Sequence, residues 1–80
     1  MYIQLIEGEF KSNDALDLIT QMIQVKIKFH ENKISKSEIE EDIKAREAKI
    51  KRLQKDLFEL RNDIGSNLNA VKLDGVIKIG

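Results

Sequence analysis

Cysteine, proline and tryptophan are all missing from this chain of 80 residues, and histidine occurs once. Without cysteine there can be no disulfide staple. With a single histidine as well, a structural zinc site has too few ligands. Without proline no helix is kinked or cut short by a missing N–H, which suits long uninterrupted helices. No apolar run approaches the ~18 residues of a membrane-spanning helix. The first residues carry neither the basic start nor the apolar core of a secretion signal, so a cytoplasmic address is expected. An excess of one charge sign is missing too. Lys plus Arg and Asp plus Glu both number 14, which argues against nucleic-acid binding by bulk electrostatics. Membrane contact and a bound cofactor are not expected.

What remains is a charged, helix-forming sequence, 35% Asp, Glu, Lys and Arg, short enough to form one domain with only a modest core. Residues 1–10 read as a strand rich in Tyr2, Ile3, Leu5, Ile6 and Phe10, with Gly8 suggesting a bulge or bend. A first helix is predicted over 13–33, capped by Ser12 or Asn13, with Asp14 and Asp17 at its positive end. Two apolar rows run along it. One is Ala15, Leu18, Met22, Val25 and Phe29. The other is Leu16, Ile19, Ile23, Ile27, His30 and Ile34. Together they span more than one partner helix can cover. A second cover is therefore expected from the terminal strands or from another subunit.

Ser35 and Glu38 have the spacing of a capping box, with Ile34 and Ile39 as its hydrophobic staple. This predicts a tight turn and a second helix over 36–64, antiparallel to the first. The second helix carries a heptad seam, Ile39, Ile43, Arg46, Ile50, Leu53, Leu57, Leu60 and Ile64, in which Arg46 is the one polar member. Glu40–Lys44, Glu47–Lys51, Arg52–Asp56 and Lys55–Glu59 are spaced for ion pairs on its surface. Gly65 ends it and residues 66–69 read as a loop. A final β-segment is predicted over 70–79, one strand kinked at Gly75 rather than a hairpin turning at Asp74-Gly75. The fold class is thus mainly α with an α+β element order, β-α-α-β: a two-helix hairpin whose terminal strands pair antiparallel. A two-stranded ribbon is barely stable alone and leaves two edges open.

Four residues stand out as candidate interaction or register residues. His30 sits within an apolar row, where a hydrogen bond to a carbonyl or to Asp42 is the structural expectation and a metal or proton-transfer role the functional one. Lys26 lies one turn earlier, and folding the hairpin about its predicted turn brings it opposite Glu47 as an ion pair. Arg46 is expected to fix register, with anion binding as the alternative. Phe58 falls off the seam and is expected to be covered by the strands or by a second subunit. No nucleophile triad, phosphate-binding glycine loop or catalytic carboxylate pair is present.

The segments Ile6-Glu7-Gly8-Glu9-Phe10, Lys26-Ile27-Lys28-Phe29-His30 and Val76-Ile77-Lys78-Ile79 resemble a small family of bacterial proteins of about this length with no assigned activity. That likeness implies no catalytic or binding residues. It implies only that Lys26 and His30 belong to one recurring motif.

The functional expectation is a non-enzymatic homo-oligomer, a dimer first of all, acting as a structural or protein-interaction module. The alternative is a nucleic-acid-associated regulator using the basic stretch Lys44 to Lys55. Its element order resembles ribbon-helix-helix dimers, although Glu7 and Glu9 stand where a strand reading DNA wants basic groups. An enzyme or metal protein centred on Lys26 and His30 ranks third.

Overall fold

The computed structural model describes residues 1–65 and 70–80, and the predicted loop at 66–69 lies outside them. The element order is β1 (Tyr2–Phe10), α1 (Ser12–Lys36), α2 (Glu40–Gly65) and β2 (Val71–Lys78). This is the predicted β-α-α-β hairpin.

The apolar rows decide how the helices meet. On α1, the row Leu16, Ile19, Ile23, Ile27, His30 and Ile34 is covered, and on α2 the seam is covered from Ile43 to Ile64. The other row of α1 stays open. Ala15 at its foot is buried, but Val25 is 70% and Phe29 52% exposed.

The turn departs from expectation. α1 continues to Lys36, so Ser35 lies inside it and its hydroxyl donates back to the Asn32 carbonyl at 2.8 Å. No capping box with Glu38 forms among the described residues. Ser37 takes over the turn: its N–H donates to the Ile34 carbonyl at 3.2 Å, and its Oγ accepts from the Ile39 N–H at 3.2 Å. Ile39 is exposed and makes no staple. The N-cap of α1 is Lys11, which makes no side-chain capping bond, instead of Ser12 or Asn13. Of the predicted surface pairs, Glu40–Lys44 closes at 3.3 Å, while the other three are not ion-paired among the described residues.

β1 and β2 pair antiparallel along their whole length, from Phe10 opposite Val71 to Tyr2 opposite Lys78. β2 is one continuous strand through Gly75. The bulge falls at Leu5, between the Gln4–Val76 and Ile6–Gly75 pairs, and not at Gly8. Its reason is in the sequence. Ile6, Gly8 and Phe10 share one parity, and Ile3 the other. One unpaired residue shifts the phase so that Ile3 and Ile6 stay on the same face. That face also holds Val71, Leu73, Gly75 and Ile77. Gly75 is tight there, since a Cβ would lie 3.0 Å from Ile6 Cγ2. Gly8 has φ +130°, a conformation that side-chain-bearing residues rarely adopt.

The result is a single layer of 46 × 32 × 13 Å. Domains ordinarily close a core between two layers. Among the described residues only Ala15, His30 and Ile64 are buried, and of these only Ala15 completely. The radius of gyration is 15.1 Å, against about 11.6 Å for a compact chain of this length.

Candidate functional site: a polar rung in the helical hairpin and an open apolar face

Each facing row has one polar exception, His30 on α1 and Arg46 on α2, and the hairpin brings the two together. Arg46 Nη1 lies 3.0 Å from His30 Nδ1, and its Nε donates to Asp42 Oδ2 at 3.3 Å. A guanidinium can only donate, so Nδ1 must be the acceptor and the imidazole is the neutral tautomer with hydrogen on Nε2. His30 is 5% exposed. Burial, then the positive charges of Arg46, Lys49 and Lys26, lower its pKa below the ordinary 6.5. The Phe29 ring closes the outer side, edge-on to the imidazole with centroids 5.6 Å apart and 6.0 Å from the Arg46 guanidinium carbon. Asp42 thus reaches His30 only through Arg46, and no carbonyl bonds the His30 ring among the described residues.

This rung marks the register. With His30 opposite Arg46, the hairpin turns about Glu38, roughly a residue and a half later than the capping-box turn. Lys26 therefore meets α2 near Lys49, Arg52 and Leu53, with which it lines a cleft of ≈ 310 Å³ together with His30 and Asp56. It makes no ion pair with Glu47 among the described residues. Cations from both helices, Lys26, Lys49 and Arg52, converge there against one carboxylate. No group of three His, Asp or Glu able to hold a metal occurs among the described residues.

The pairing of His30 with Arg46 was missed from sequence, although a signal for it existed. Two lone polar members of facing apolar rows satisfy each other more cheaply than either does alone, because a buried polar group without a partner costs ~1–3 kcal/mol.

A second feature is apolar. Between the ribbon and the first turns of α1 lies a groove of ≈ 480 Å³ lined by Leu5, Ile6, Glu7, Phe10, Leu18 and Met22. It is continuous with the open row of α1. Phe58, by contrast, is 65% exposed on α2, and the strands do not cover it.

No protein family, curated protein or solved structure matches the chain. No helix among the described residues is long and apolar enough to cross a membrane.

Proposed function

We propose that this chain is a non-enzymatic, self-associating module, a homodimer that closes its core across the open row of α1 and acts in the cytoplasm. One observation carries the reading. The chain exposes 6529 Å², whereas a compact monomer of its 9.2 kDa would expose about 4,900 Å². The surplus, roughly 1,600 Å² per chain, lies within the ~1,000–2,500 Å² that each copy buries in an obligate homodimer. The exposed Leu18, Met22, Val25 and Phe29 form a contiguous apolar stripe of the kind monomers seldom leave uncovered. The resemblance to a bacterial family contributes only the grouping of Lys26 with His30. Sedimentation velocity at micromolar concentration tests the proposal. The expected mass is twice that of one chain, and Phe29→Glu or Val25→Asp shifts it toward one. A wild-type monomer with intact helicity would overturn the proposal.

The convergence of Lys26, Lys49 and Arg52 on one cleft favours a second reading, an anion-contacting regulator that binds nucleic acid. Anisotropy titration against a duplex at low salt decides it. Binding that falls steeply with salt and weakens on reversing Lys49 and Arg52, the members of the basic stretch that line the cleft, supports this reading, and no binding at low salt removes it.

A further inference from the structure

The self-association proposed above leaves open how two copies meet, and the geometry points to one arrangement: an antiparallel, two-fold pairing of α1 helices in which Val25 and Phe29 of each copy fill the ribbon–helix groove of the other. This inference rests on the dimer reading and deepens it.

The open row is Leu18, Met22, Val25 and Phe29, spaced four, three, four. That spacing reads the same in both directions about a point between Ile23 and Gln24. A two-fold axis there sets Phe29 opposite Leu18 and Val25 opposite Met22, each contact occurring twice, as an isologous interface requires. The row is also uneven in relief. At its C-terminal end Val25 and Phe29 are 70% and 52% exposed and stand out as knobs. At its N-terminal end, Leu18 and Met22 floor the groove of ≈ 480 Å³ walled by the ribbon. A chain's own ribbon reaches only the first turns of α1 and cannot cover its own Val25 and Phe29. A second copy turned end for end presents a hole to every knob.

Charge follows the same polarity. The segment leading into the groove holds Glu7, Glu9, Asp14 and Asp17 against a single Lys11, and the knob end holds Lys26, Lys28, Lys33 and Lys36 against a single Glu31. Antiparallel pairing sets acidic end against basic end, and parallel pairing sets like against like. Asp17 falls within a turn of the partner's Lys28, on the same flank. The partner's Lys33, whose Nζ lies 5.6 Å from the centroid of its own Phe29 ring, arrives with that ring beside Glu7 on the rim of the groove. A dimer built this way stacks two 13 Å layers and supplies the second layer that the single chain lacks.

The absence of cysteine makes the test clean. Chains carrying Leu18→Cys and chains carrying Phe29→Cys are prepared separately, checked for helicity by circular dichroism, and oxidised alone and after mixing. In the inferred arrangement residues 18 and 29 face each other across the interface. The two copies of residue 18 lie roughly 16 Å apart along the helix axis, at 1.5 Å per residue, beyond the ~7 Å a disulfide spans. The expected result is a disulfide-linked dimer in the mixture and none in either protein alone. Cross-linking of a single variant with itself would overturn the arrangement in favour of parallel packing. A wild-type protein dimeric by sedimentation with no cross-link in any sample would overturn the arrangement and leave the dimer standing. A monomeric wild type would remove both.

Discussion

At the level of single residues, the hairpin is organised around a charge that His30 does not carry. Arg46 donates to its Nδ1 and can do so only while that nitrogen holds a free lone pair. Protonation of the imidazole would set two cations donor to donor, with Lys49 and Lys26 also nearby. The folded-state pKa is accordingly below 6.5, for reasons of burial first and Arg46 second. The sign of the pH effect follows. Between the folded pKa and 6.5 the unfolded chain binds more protons than the folded one, so stability rises with pH through that window. It is fully present above 6.5 and is lost as pH falls toward the folded value. Urea unfolding at a series of pH values from 5 to 7.5 is expected to show this slope in the wild type, and His30→Gln is expected to flatten it. An equal slope in both proteins would show that carboxylates, and not His30, set the acid sensitivity. The replacement also serves as a probe of the rung. The amide oxygen of the introduced glutamine can still accept from Arg46, so a large loss of stability at pH 7.5 would mean that the imidazole packs, as well as bonds, against Phe29.

Among the elements, periodicity made the helices, their facing rows and the strand pairing legible, because each depends on apolar spacing that a sequence displays directly. The seam from Ile43 to Ile64 and the split of α1 into a covered and an open row are cases of this. The turn was not legible, because two local signals competed. Ser35-x-x-Glu38 has the spacing of a capping box, but stopping α1 before Ile34 would withdraw the last rung of its covered row. The tertiary contact prevailed, α1 ran on to Lys36, and Ser37 became the turn's bonding residue. That displacement carries Lys26 away from Glu47 and toward Lys49, Arg52 and Leu53, so turn and site depart from expectation together. The Leu5 bulge is hidden in a similar way: glycine marks position 8, whereas the change of apolar parity lies between Ile3 and Ile6. Mutation separates the two turns. Ser37→Ala removes the acceptor for the Ile39 N–H and is expected to cost about 0.5–1 kcal/mol. Ser35→Ala and Glu38→Ala are each expected to fall within about 0.5 kcal/mol of wild type. Denaturant midpoints check the order, and a Glu38→Ala loss exceeding that of Ser37→Ala would restore the capping box in solution.

For the molecule as a whole, the deciding quantity is apolar surface left without cover. One layer, in which Ala15, His30 and Ile64 are the only described residues to be buried, has little interior to set against the backbone entropy of its ordered residues, ~1–2 kcal/mol each. If the missing burial comes from a second copy, folding and association are one equilibrium, and stability depends on protein concentration. Two chains of this length melting together absorb on the order of 110 kcal/mol near 60 °C, at ~0.7 kcal/mol per residue. With that enthalpy, each tenfold rise in concentration lifts Tm by about 4–5 °C, through a free-energy gain of ~1.4 kcal/mol per dimer. Circular dichroism melts from 1 to 100 µM should therefore span about 8–10 °C. Val25→Asp sets a charge on the proposed knob and leaves the Phe29 ring on His30 in place, so its melt should be lower at every concentration. Phe58→Ala, on the far helix and outside the proposed contact, should move with the wild type. A wild-type Tm that stays constant across the hundredfold range would mean that the single layer is self-sufficient, and that the open row of α1 has a use other than meeting its own kind.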